Sequence, residues 1–220
     1  MACLHKFHKY LNLERLDFEP TALIVGTFNP SWPIGNNANW FYGRTHDARG
    51  NRNNSFWDVL PRLFENEPTL IDASPVEWKL FCARKTIAIT DLISSINDAD
   101  PENPEHISFM RGFADNVIAE KFHEHEFVDI VLLLQNNPSI NRVYITNGVN
   151  GVFWNNQWNP IVDYCNQNNI ICNKLLTPSR NARFSMFAHN NNNHNHNNQY
   201  NMHNLNDYIL MKWGEVWNQL

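Results

Sequence analysis

Four short apolar, β-prone runs punctuate the chain, with helix-like segments between them. The first, Leu23-Ile24-Val25, has no polar position, as expected of a strand buried on both faces of a parallel sheet. Gly26 then frees the backbone, and Pro30 stops the strand. Lys85 to Asp91, Arg142 to Thr146 and Ile170 to Leu176 repeat the pattern. Between them, Phe56, Trp57, Val59, Leu60 and Leu63 form a helical stripe that opens around Asn54 and ends near Pro68. Residues 75–83, most of His106 to Asn136 with a break near His125, and a stretch through Tyr164 punctuated by Pro160 also predict helix. Residues 1–20 predict a short amphipathic helix on Leu4, Phe7 and Leu11, and Leu205 to Trp217 predict a closing one. Strands alternating with helices imply an α/β fold, a three-layer α/β/α sandwich with a central four-stranded parallel sheet, as one domain over residues 1–220.

Loops then locate the candidate chemistry. Asn29, Asp91, Asn147 and Ser179 each follow a predicted strand, and in a parallel sheet such turns open on one edge, where α/β sheets bind ligands. An aromatic-rich loop follows the first strand, with Trp32, Trp40, Phe41 and Tyr42. A strand-end amide with aromatic rings nearby suits a flat, hydrogen-bonding ring. Asp58 reads as exposed, and Asp91 as a supporting site residue.

Composition narrows the class. With 43% hydrophobic residues, eight Trp and fourteen Phe in 220 residues, the chain can bury a sizeable core. The formal net charge of −5 excludes a global cationic field, so nucleic-acid binding would rest on a local arginine cluster. The loop from Gly43 to Asn53 carries Arg44, Arg49 and Arg52, and reads either as a solvated excursion or as a set of phosphate contacts. Cys3, Cys82, Cys165 and Cys172 form no Cys-x-x-Cys pair and read as inert thiols in a reducing compartment. The polar N-terminus and the lack of a long apolar run predict a soluble, intracellular (cytoplasmic) protein without a membrane partner. The run His123-Glu124-His125-Glu126 lacks the companion ligands of a zinc motif, and no metal is expected. Residues 189–203 are Asn- and His-rich and read as an insertion with no core to bury.

Two motif blocks carry a resemblance. Gly26-Thr27-Phe28-Asn29-Pro30-Ser31, then Phe41-Tyr42-Gly43 and Asn54-Ser55-Phe56-Trp57, resemble the first block of the uracil-DNA glycosylase superfamily. The mismatch-specific uracil/thymine branch reads Gly-Ile-Asn-Pro-Gly and then Pro-x-Asn-Arg-Phe-Trp, and the hypoxanthine branch reads Gly-Ser-Phe-Pro-Ser. Phe28 is an extra residue against the former, and Asn29 against the latter. Thr177-Pro178-Ser179-Arg180-Asn181-Ala182-Arg183 resembles the second block, with Asn181 where an apolar wedge would stand. The short piece Ile89-Thr90-Asp91-Leu92 is also similar.

The resemblance implies a monomeric DNA N-glycosylase without a cofactor, acting on DNA that contains a damaged or mispaired base, with uracil foremost. It implies catalytic roles for Asn29, Asn54 and Asp91, the two amides competing for the water-positioning role. Gly26, Thr27, Phe28, Phe41, Tyr42 and Asn147 would surround the base. Arg44, Arg52, Pro178, Ser179, Arg180, Asn181 and Arg183 would contact DNA, with Arg180 or Arg183 filling the vacated stack or gripping phosphate. A non-catalytic nucleic-acid binder and a hydrolase of free nucleosides are the competing readings.

Overall fold

A computed structural model describes residues 2–32, 36–47, 49–64, 67–112, 114–146, 151–193 and 202–217. In chain order the elements are β1 (Cys3–Leu4), a 3-10 turn (His8–Tyr10), β2 (Ala22–Gly26), α1 (Phe56–Arg62), α2 (Pro75–Arg84), β3 (Ile87–Asp91) and β4 (Ile93–Ile96). There follow α3 (Pro104–Gly112), α4 (Asp115–Lys121), β5 (His125–Phe127), α5 (Ile130–Asn136) and β6 (Arg142–Ile145). The last are α6 (Val152–Gln167), β7 (Ile171–Lys174), α7 (Ala182–Asn193) and α8 (Leu205–Trp217). They group into two compact units, Met1–Asn37 with Cys82–Lys174, and Ala38–Phe81 with Leu175–Leu220.

The first unit holds the expected four-stranded parallel sheet, in the order β3-β2-β6-β7, flanked by helices. β2 is interior, and Leu23, Ile24 and Val25 are each fully buried, which is why that run has no polar position. β7 is an edge strand and ends on exposed Lys174, as an unpaired edge requires. On α6, Trp154, Trp158, Ile161 and Cys165 fall at helical spacing and join Val143 and Ile145 in one core.

A second, antiparallel sheet, β1-β4-β5, was not legible in the sequence. It corrects two expectations. Residues 1–20 hold a two-residue strand and a 3-10 turn instead of an amphipathic helix, because Cys3 and Leu4 pair with Ile96 and Ser95. The stretch expected to be mostly helix over 106–136 is three shorter helices, and at the expected break near His125 the chain forms β5, where His125 pairs with Ile96 across the ladder. The His123–Glu126 run is thus partly strand, and among the described residues no three His, Cys, Asp or Glu side chains gather as metal ligands.

In the second unit α1 stops at Arg62, well short of Pro68, with Pro61 in its last turn. Asp58, read as exposed, is buried (6% exposed) between Arg62 at 3.3 Å and Arg52 at 3.6 Å. The Asn/His-rich stretch begins as helix: α7 continues to Asn193, and the Asn190 amide makes two hydrogen bonds to the Met202 backbone.

Candidate active site

The carboxyl ends of β2 and β3 lie side by side, with Gly26 in register with Asp91. The chain leaves β3 by hydrogen-bonding back to this loop, Leu92 N–H to Gly26 O at 3.1 Å and Ile93 N–H to Thr27 O at 3.0 Å. From the other side the N-terminal segment straps the loop through an antiparallel bridge between His5 and Pro30. Lys6 N–H donates to Asn29 O at 2.7 Å, and Ser31 N–H to Leu4 O at 2.9 Å. The loop that sequence reasoning singled out is therefore fixed by main-chain bonds at both ends, which preorganises its side chains.

His5 is fully buried, and its Nε2 lies 2.7 Å from Asp91 Oδ2. Its Nδ1 accepts the Phe7 N–H at 2.9 Å, so the ring proton sits on Nε2 and is donated to the carboxylate. The rings of Phe7 and Phe28 approach the imidazole edge-on, at 5.9 and 5.8 Å. Phe28 is accordingly a core residue behind His5 (8% exposed).

Thr27 Oγ1 donates to Asp115 Oδ1 at 2.6 Å. Burial pushes the Asp115 carboxyl up to about 6; the Asp91 charge pushes the same way, and the Thr27 bond opposes both. Two carboxylates thus stand at this strand edge, each with a donor of its own.

Asn29 is half-buried, and its amide orientation follows from its neighbours. Asn36 Nδ2 donates to Pro30 O at 2.7 Å, and a carbonyl can only accept. The Asn29 atom facing that same nitrogen is therefore Oδ1. Asn36 is in turn buried, and its carbonyl takes a hydrogen bond from Lys6 Nζ at 2.7 Å, burial holding the ammonium below its usual range. The Asn29 amide is clamped through its oxygen. Its NH₂ has no partner among the described residues.

In the second unit the structure joins pieces of both motif blocks. Asn54 and Ser179 form an antiparallel bridge, and Ser55 N–H donates to Pro178 O at 2.8 Å. Asn54 Oδ1 accepts the Phe56 N–H at 2.8 Å, an Asx turn that starts α1, so the amide competing with Asn29 is engaged at a helix entrance. Phe41 is a core residue (1% exposed), and its carbonyl accepts from Trp57 Nε1 at 2.9 Å. Tyr42 stacks flat on Phe56 at 3.8 Å and adopts a left-handed φ of 54°. Gly43 follows, where a Cβ would lie 2.8 Å from both Trp40 O and Trp78 Cζ3. Only glycine fits there.

The arginines of the second unit differ in role. Arg180 Nη2 pairs with Asp47 at 3.1 Å, and its Nε donates to the Arg52 carbonyl. Asp47 is pulled down to about 2, chiefly by the Asn51 backbone and side-chain donors. Arg44 is set in a partly buried site that lowers its basicity by desolvation. Arg52 is turned to Asp58, while Arg183 and Asn181 are exposed. Asn147 lies outside the described residues. His5, Asn36 and Asp115 are the residues that sequence reasoning missed. A histidine just after Cys3-Leu4, and an acidic residue opening a helix at Asp115, were the available signals.

Cys3 and Cys82 are buried, and burial pushes their thiols up to about 11 and 12, outside nucleophilic range. No helix among the described residues is long and apolar enough to cross a membrane.

No family model matches the sequence, and no curated protein does. Among solved structures, the chain is similar to the solution NMR structure of a "putative uracil DNA glycosylase" from Methanosarcina acetivorans. The two share 14% identity over 92% of this chain and 94% of that one, with a TM-score of 0.51. At that identity the likeness shows a shared α/β fold.

Proposed function

We propose that the protein is a DNA glycosylase that extrudes a deaminated or mispaired base, uracil foremost, and hydrolyses its N-glycosidic bond. The observation that carries this reading is the Asn29 amide, held through its oxygen at the carboxyl end of an interior parallel strand, with no partner for its NH₂ among the described residues. The two motif blocks and the fold shared with the archaeal protein support it.

In such a reaction water attacks C1′, the C1′–N bond breaks, and its electron pair leaves with the base. Asn29 has no titratable proton, so it works by position: its NH₂ donates to a carbonyl on the departing base, and the second lone pair of Oδ1 accepts a hydrogen bond from the attacking water, whose proton is lost to solvent once the C1′–O bond has formed. Asp91 and Asp115, on the same edge, supply negative field for the oxocarbenium character that develops on the sugar. Flipping the base costs a few kcal/mol and is cheapest at a mispair, which contributes to selectivity. Arg183 contacts phosphate, and Arg180 braces the Pro178–Ser179 turn through Asp47 and Arg52.

The test is a panel of oligonucleotides carrying uracil, thymine opposite guanine, or hypoxanthine, run beside the free nucleosides. The reading expects cleavage in oligonucleotides. Cleavage of nucleosides alone would make the protein a nucleoside hydrolase, and binding without cleavage a non-catalytic DNA binder.

A further inference from the structure

Two of the four cysteines meet inside the first unit. Cys165 stands in the last turn of α6 and is fully buried, whereas Cys172 is the second residue of β7 and is half-buried. The turn between them closes on Cys165, whose carbonyl accepts the Asn168 N–H at 3.2 Å and the Ile170 N–H at 2.9 Å. Ile170 and Cys172 both pack on the core that contains Cys165, so the start of β7 is folded back on the end of α6. The two thiols are hydrogen-bonded to each other across this junction. β7 is also the edge strand of its sheet, joined to β6 on one side through Cys172 and Val143.

The two sulfurs are not equivalent. Cys165 lies deeper, keeps its proton and donates it, and the bond and burial together push its thiol up. The same bond holds the Cys172 thiol below its usual range, although burial pulls the other way. The thiolate is the nucleophilic form of cysteine, so Cys172 is the reactive member and Cys165 the sulfur placed to resolve what forms on it. Cys3 and Cys82, with thiols pushed up by burial, stand in contrast.

We infer that Cys172 and Cys165 form a redox-modification site, at which hydrogen peroxide converts the two contacting thiols into a reversible disulfide. The Cys172 thiolate attacks the peroxide: an S–O bond forms, the O–O bond breaks, and the departing hydroxide takes up a proton to become water. The Cys165 sulfur then attacks the Cys172 sulfenic acid: the S–S bond forms, the S–O bond breaks, and the hydroxide leaves with the Cys165 proton as a second water. The thiols together lose two electrons and two protons, and one peroxide is reduced to two waters. The site revises the expectation of four inert thiols, and it stands independently of the glycosylase reading.

The experiment treats the full chain with hydrogen peroxide, counts thiols after denaturation, and maps the disulfide by mass spectrometry of its peptides. The four thiols of the untreated chain are expected to fall to two, with the bond mapped between Cys165 and Cys172 and all four thiols restored by dithiothreitol. Cys165→Ala removes the resolving sulfur, so Cys172 stops at the sulfenic acid and is labelled by dimedone. In Cys172→Ala, Cys165 stays unlabelled and keeps its thiol. A treated wild type that retains four thiols overturns the proposal, as does a bond mapped to another pair or a disulfide between two chains on a non-reducing gel. Dimedone on Cys165 in Cys172→Ala, or none on Cys172 in Cys165→Ala, overturns the assigned order. The wild-type count and map decide the central claim even where an alanine variant fails to fold.

Discussion

Replacing Asp115 by asparagine tests the electrostatics of the strand edge. In an unfolded chain the carboxyl titrates near 3.9, whereas in the folded protein burial and the Asp91 charge move it up to about 6. Between those values the native state binds more protons than the unfolded state, so this residue lowers stability as pH rises from about 4 to about 6. The penalty is absent below about 4 and complete above about 6. A rise of that size bounds it at about 3 kcal/mol, and partial contact with solvent reduces it to about 1–2 kcal/mol. The asparagine side chain would keep an oxygen for the Thr27 hydroxyl, now 2.6 Å from the carboxylate, and would lose the charge that repels Asp91. Asp115→Asn is therefore expected to melt about 2–8 °C above the wild type at pH 7.5, and within about 1 °C of it at pH 4. Thermal melts by circular dichroism at both pH values make the comparison. An offset that is the same at the two pH values would refute the reasoning, because it would show that the charge of Asp115 is not what burial penalises.

Two further substitutions probe the anchors of each unit. His5→Ala leaves the Asp91 carboxylate buried without its donor and should cost about 3–5 kcal/mol in urea denaturation; a loss below about 1 kcal/mol would show that the pair does not hold the strap. Gly43→Ala drives a Cβ against the Trp40 carbonyl and the Trp78 ring and should cost about 1–3 kcal/mol, checked by the melting temperature, with an unchanged value counting against the tight turn.

The sequence made the parallel sheet legible because β2, β3 and β6 are buried apolar runs, and such runs announce themselves. It made Asn29 legible because a Gly–Pro-bounded loop after an interior strand has one functional edge to face. The β1-β4-β5 sheet escaped because strands of two to four residues, with Ser94, Ser95 and Glu126 among them, carry no period. Asp58 looked exposed because the pairing that accompanies its burial comes from Arg52 and Arg62, which spacing does not reveal. His5 and Asn36 reach the motif loop through tertiary contacts from the N-terminal segment and from beyond Pro30. Asp115 reaches Thr27 from 88 residues away. No local pattern joins such partners.

The measurement closest to the central claim is single-turnover cleavage of a uracil-containing oligonucleotide by Asn29→Ala beside the wild type, with binding of the same oligonucleotide measured in parallel. Asn54→Ala is the control, since its Asx-turn bond to Phe56 N–H predicts a stability loss of about 0.5–2 kcal/mol with chemistry largely kept. If the clamped Asn29 amide serves the transition state, Asn29→Ala binds the lesion like the wild type while the cleavage rate falls about 10²–10³-fold, equivalent to about 3–4 kcal/mol. A cleaving enzyme whose rate is unchanged in Asn29→Ala, and falls steeply in Asn54→Ala, would contradict the account.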